Sequence, residues 1–188
     1  MIGHWGREAN RKFKISSASF TVKYKKIAIV GISGSGKSTF SRRLSDKTKL
    51  PIIHLDRLFW KGNWEEVPAS QYLAEHESII KGDAWIIEGY INKKMAERLS
   101  NADMVLYLDY SGIRCMWQVI LRWLKHRKES RPELPKEALE QLDLKFLWKV
   151  LTRAERKDLE EAIEASNPSR LEKFRTAKEL DLFLETEF

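Results

Sequence analysis

Ile27-Ala28-Ile29-Val30-Gly31-Ile32-Ser33-Gly34-Ser35-Gly36-Lys37-Ser38-Thr39 is the stretch on which the reading of this 188-residue chain turns. Its first four residues form a continuous apolar run, the pattern of a strand buried on both faces of a parallel sheet. Gly31 to Ser38 then satisfies G-x-x-x-x-G-K-[ST] without a mismatch, and a helical stretch from Lys37 to about Lys47 leaves it, with Phe40 and Leu44 four apart. Strand, glycine-rich turn and helix in that order make an anion site. The glycines bring successive N–H groups towards phosphate oxygens, and the positive end of the helix adds to them. Gly31, Ser33, Gly34, Ser35, Gly36, Lys37, Ser38 and Thr39 are therefore expected to hold the phosphates of ATP. Lys37 would reach the β- and γ-phosphates, and the Ser38 hydroxyl would bind Mg2+.

Outward from the loop the pattern stays regular. Further strands are expected at 51–55, 84–87, 103–109 and 169–174, with helices over 70–81, 113–126 and 136–165. A capping box, Thr176-x-x-Glu179, opens a last helix to Leu184. Alternating strands and helices predict an α/β domain of the P-loop NTPase class, a parallel sheet of about five strands flanked by helices. A guanine-specifying N/T-K-x-D segment is absent, and so is the hydrophobic strand ending in Asp-Glu used by motor-type ATPases. An early acid after the second strand suits a small-molecule or nucleotide kinase better.

Four segments carry a more specific likeness: IAIVGISGSGKSTFSRRL (27–44), IIHLDRLFWKGNW (52–64), WIIEGYI (85–91) and ADMVLYLDYS (102–111). With the arginine-spaced helix that follows, they resemble the adenylate-kinase-like P-loop proteins known as DNA topology modulation proteins. The likeness runs from Lys26 to the C-terminal helix and implies a nucleoside-kinase fold with an ATP site. Glu88 stands where that family usually has Asp, and residues 1–25 have no counterpart in its typical member.

The resemblance also suggests roles. Asp56, at the carboxyl edge of the second strand, would hold or deprotonate the acceptor. Glu88, ending the third strand, would support Mg2+ through water. The region 114–135 would be a helical lid whose arginines close over phosphates, with Arg127 and Arg131 beside the break at Glu129–Pro135 as the catalytic pair. Asp109 suits a helix cap at least as well as a metal. Trp60 and Trp64 suit either an aromatic wall for an acceptor base or a plug under a loop, whereas Trp117, Trp123 and Trp148 read as helix-packing residues. His54 reads as a core-edge histidine, Cys115 and His126 as structural or solvent-facing, and 174–177 as the place of the adenine.

The net charge of +7 suggests nucleic acid until it is partitioned. Residues 1–26 hold seven Lys/Arg against one acid, 27–110 hold eleven of each, and 111–188 sixteen against fifteen. The excess is thus a property of a basic N-terminal extension, residues 1–24, ahead of a domain spanning 25–188. The extension permits sequence-independent DNA contact without favouring it. No apolar run approaches the ~18 residues of a membrane span, and a single cysteine fits a cytoplasmic setting. The reading is an ATP- and Mg2+-dependent transfer of phosphate to a small acceptor, a nucleoside or nucleotide foremost. Its rivals are an ATP-dependent DNA-associated regulator and an acceptor-independent ATPase.

Overall fold

The computed structural model describes residues 23–61, 64–127, 134 and 142–188. Most of the N-terminal extension, Arg131, and all of the Glu129–Pro135 break except Leu134 lie outside the described residues.

Five parallel strands form one sheet in the order β2-β3-β1-β4-β5: β1 Lys26–Gly31, β2 Ile52–His54, β3 Trp85–Glu88, β4 Met104–Leu108 and β5 Leu171–Phe174. The central strands are buried on both sides, which is why they read as unbroken apolar runs. Side chains alternate between two cores. Ile27, Ile29, Ile86, Met104, Leu106 and Leu108 face one, under α1 (Lys37–Thr48), α5 (Gly112–His126), α6 (Leu144–Leu151) and α8 (Ala177–Glu187). Ala28, Val30, Ile87, Val105 and Tyr107 face the other, under α2 (Leu55–Phe59), α3 (Ala69–Ile80), α4 (Glu97–Ser100) and α7 (Arg156–Ser166).

Several details depart from the sequence expectation. Among the described residues, the helical stretch expected over 136–165 holds two helices, α6 and α7, parted by a turn in which Arg153 takes φ +58. The short helices α2 and α4 were not expected, because each is too brief to show a period. Trp117 and Trp148 do not pack helices together: they are 57% and 66% exposed on α5 and α6. The capping box is present, with Thr176 Oγ1 accepting from Glu179 N and the Glu179 carboxylate accepting from Thr176 N. Among the described residues no helix is long and apolar enough to cross a membrane.

Candidate active site

Parallel strands deliver their C-terminal ends to one edge, where open α/β sheets bind ligands. Here β1 ends in the glycine loop, β2 leads into Asp56, β3 ends at Glu88 and β4 is followed by Asp109.

The loop is built as a cradle. Gly36 has φ +89 and a Cβ there would meet nothing within 4 Å, so the face towards an incoming ligand is open. Its carbonyl accepts from Phe40 N, which leaves the first-turn N–H groups of α1 without acceptors inside the helix. Gly34 serves a second purpose that the motif alone does not reveal. With φ +79, its Cα lies so close to α5 that a Cβ would sit 2.3 Å from the Cys115 carbonyl oxygen and 2.9 Å from Val119 Cγ2. Gly34→Ala is expected to destabilise the fold by about 2–4 kcal/mol through clash and left-handed strain together. Denaturant unfolding measures this; a cost below about 0.5 kcal/mol, the scatter of ordinary surface changes, contradicts it.

Lys37 Nζ donates to the Gly31 and Ile32 carbonyls at 2.9 and 3.1 Å, curling over the loop. Beside it, Ser38 Oγ donates to Glu88 Oε1 at 3.0 Å, and His54 Nδ1 lies 2.5 Å from the same oxygen. Glu88 is 2% exposed. Burial pushes its carboxyl up, but the His54 hydrogen bond, the Lys37 ammonium and Ser38 outweigh it and hold the group below the usual carboxylate range. The structure brings Ser38 and Glu88 together, and His54 has a definite partner in the same carboxylate. A buried, ionised carboxylate against a serine hydroxyl is a hard-oxygen pair suited to Mg2+. Among the described residues no group of three or more His, Cys, Asp or Glu could hold a metal by itself. A cation here would therefore need phosphate oxygens and water to complete its shell.

Asp56 is the second residue of α2, half-buried, one turn from the β2–β3 register pair His54–Glu88. Behind it lies an aromatic cluster: Phe59 meets Trp60 and Tyr72 edge-on at 4.8 and 5.3 Å, and Trp60 meets Trp64 at 5.3 Å.

Asp109 does not cap the helix that follows it. Ser111 caps α5. Asp109 instead pairs with Arg153, with Lys173 Nζ at 3.0 Å and with Arg156 Nη2 at 3.5 Å, and accepts from Tyr107 Oη at 3.2 Å. These cations come from α7, β5 and the α6–α7 turn, and the sequence reading passed over all three. From the same turn, the Glu155 carboxylate reaches the glycine loop. It accepts from Ser33 N at 2.8 Å and from Ser33 Oγ at 2.9 Å.

In the expected lid region, Arg114 stacks over Tyr110 at 4.1 Å and Arg127 lies 6.0 Å from the Trp123 ring. At 174–177, Phe174 is buried against Phe183, and the N–H groups of Arg175 and Thr176 donate to Glu179. Cys115 is fully buried, and burial pushes its thiol up to about 11, so it is an inert packing group.

No family model matches this chain, and no curated protein matches it. Solved structures do. A shikimate kinase from Acinetobacter baumannii in complex with shikimate aligns over 87% of this chain and 95% of its own, at TM-score 0.52 and 15% identity. The shikimate kinase from Bacteroides thetaiotaomicron aligns over 86% and 95%, at 0.55 and 12%. The YorR protein from Bacillus subtilis, in complex with phosphorylated GDP, aligns over 86% and 96%, at 0.51 and 14%. The fold is that of the kinase-like P-loop NTPases, and the expected five-stranded parallel architecture holds.

Proposed function

We propose that the protein is a phosphotransferase that moves the γ-phosphoryl group of ATP to a small acceptor, a nucleoside or nucleotide foremost, with Mg2+ bound beside Ser38 and Glu88. The observation that carries this reading is the joining of Lys37, Ser38 and Glu88 at the mouth of a glycine loop, with Asp56 on the neighbouring strand end. Two of the segments that carry the likeness to the DNA topology modulation proteins supply these strand ends, HLDRLFW with Asp56 on the acceptor side and WIIEGYI with Glu88 on the metal side.

The chain's own groups divide the work. The loop N–H groups bind the phosphate chain and Lys37 neutralises charge developing on the transferring group. Ser38 and Glu88 would hold Mg2+ at the loop mouth, where it would supply charge to offset that of the phosphates. Glu88, held ionised, orients the Ser38 side. Asp56 takes the acceptor hydroxyl proton or, for a phosphate acceptor, orients the attacking oxygen. Arg127 and Arg131, in a lid over about 114–135, would close on the phosphates and exclude water. Residues 25–188 would form the working unit in a cytoplasmic setting, with 1–24 dispensable for turnover.

The Glu155 clasp competes with this use of the loop. A carboxylate bonded to Ser33 repels the phosphates that the loop is shaped to take. Glu155→Ala is expected to tighten binding of a fluorescent ATP analogue by about three- to tenfold, equivalent to ~1 kcal/mol. Unchanged or weaker binding shows that Glu155 does not compete.

The test of the overall reading is a coupled ADP assay with Mg·ATP across nucleosides, nucleotides and small hydroxy-metabolites. Acceptor-dependent ADP formation supports the phosphotransferase. Equal ADP release with and without every acceptor favours a bare ATPase and contradicts it.

A further inference from the structure

The outer face of α5 and α6 carries apolar side chains that the folding of the domain does not use. On α5, Ile113, Trp117, Leu121 and Leu124 follow helical spacing and form one stripe, and on α6 Leu144 and Trp148 lie four apart. All six are at least half exposed. The inward faces of both helices are already occupied. Cys115 and Val119 of α5 and Val150 of α6 enter the first core, with Met116, Phe146 and Leu147 packed against it. The helices lie together over that core, so close that a Cβ on Gly112 would sit 1.9 Å from the Leu151 carbonyl oxygen. Two tryptophans and four aliphatic side chains on neighbouring helices exceed the apolar patch that a monomer ordinarily leaves in water.

The charge of this face is one-sided. α5 and α6 hold five Lys/Arg between them and no Asp or Glu. By helical spacing Arg114 and Lys125 flank the α5 stripe, and Lys145 and Lys149 flank that of α6; the three lysines are exposed. Asp143, the N-cap of α6, accepts from the Lys145 N–H. Apolar character together with unopposed positive charge selects the occupant. A second copy docked about a two-fold axis would set lysines against lysines. A peptide helix is received in a groove, whereas here the apolar residues stand on the outward ridges of two helices. Single-stranded nucleic acid stacks on aromatic rings, and four of the six side chains are aliphatic. Tryptophan and leucine on one side with lysine beside them is the make-up of a helix lying in a membrane interface.

We infer that the α5–α6 face docks on an anionic lipid surface. Trp117, Trp148 and the leucines would lie at the boundary of headgroups and acyl chains, with the lysines over the headgroup charges. One weak contact gives only marginal membrane binding, and apolar insertion and charge act here together. The sequence of the N-terminal extension adds seven Lys/Arg against one acid over residues 1–26, a further contact of the same sign. The inference is independent of the phosphotransferase reading, but it bears on where the chemistry takes place. α5 backs the glycine loop at Gly34 through Cys115 and Val119, so its outer side on a bilayer holds the phosphate site near the lipid.

The test co-sediments the full chain with phosphatidylcholine vesicles made with and without phosphatidylserine. Binding to the phosphatidylserine vesicles is expected to be tighter by about tenfold or more. Trp117→Ser with Trp148→Ser is expected to weaken it by about thirtyfold or more, and Lys145→Glu with Lys149→Glu by about tenfold or more. No binding to the anionic vesicles overturns the inference, whether the face then takes an acidic protein helix or single-stranded DNA. Undiminished binding by the tryptophan variant assigns the contact to the basic extension and overturns it too. Sedimentation velocity without lipid is expected to show a monomer; a dimer that the tryptophan variant dissolves overturns the inference in favour of a second copy. Should that variant fail to fold in a denaturant curve, the wild-type chain gives the same answer by NMR. Spin-labelled lipid in phosphatidylserine bicelles is expected to broaden the indole N–H signals of Trp117 and Trp148 and to spare that of the buried Trp85. Unbroadened Trp117 and Trp148 signals overturn the inference.

Discussion

Lys37→Ala is expected to lower kcat by about a thousandfold or more, a loss of ~4 kcal/mol of transition-state stabilisation. Lys37 is half-buried, and its ammonium is bonded to two loop carbonyls rather than locked in an ion pair. Those bonds can be exchanged for phosphate oxygens when ATP arrives. Truncation therefore removes a mobile cation and little packing, and the loop glycines and α1 stay in place. The denaturation midpoint should shift by the equivalent of at most about 1 kcal/mol. Steady-state kinetics with an active acceptor, beside a denaturant curve, separates the two effects. Wild-type turnover in a folded Lys37→Ala variant removes the loop from the chemistry.

Asp56→Asn is expected to lower kcat by about 10²–10⁴-fold with the KM for ATP little changed, the signature of a lost proton acceptor. The substitution keeps volume and hydrogen-bonding capacity, so α2 should persist. The side chain stands at the strand end nearest Glu88, on the far side of β1 from Asp109 and its arginines, and so away from the groups that face the other edge of the loop. Raised acceptor KM with unchanged kcat would instead make Asp56 a binding residue only. No change in either parameter places the acceptor elsewhere.

How much of this was legible in the sequence depended on range. The β1 run reported burial on both faces because its residues alternate between the two cores. The glycine loop and the Thr176 capping box are local patterns with local causes, and both are present. The meeting of Ser38 with Glu88 followed from knowing that parallel strands end at one edge, although the residues are 50 apart. What lay beyond sequence reading came from long polar side chains that carry no period. Glu155 contacts Ser33 across 122 residues, and Arg153 reaches Asp109 from a turn that interrupts an apparently continuous helix. The sequence Arg153-Ala154-Glu155-Arg156 holds no glycine or proline, so nothing announced the break. The full burial of Arg98 is equally illegible, because charge in a sequence does not say whether water reaches it. Trp117 and Trp148 failed in the opposite sense: large apolar residues suggest packing, but their helices turn them outward.

The most direct measurement of the central claim follows the γ-phosphoryl group itself. Phosphorus NMR of the full chain with Mg·ATP and an acceptor that stimulates ADP formation should show the ATP γ-signal replaced by ADP and a new signal of the phosphorylated acceptor in equal amount. Release of the γ-group only as inorganic phosphate, at a rate indifferent to the acceptor, would contradict the account.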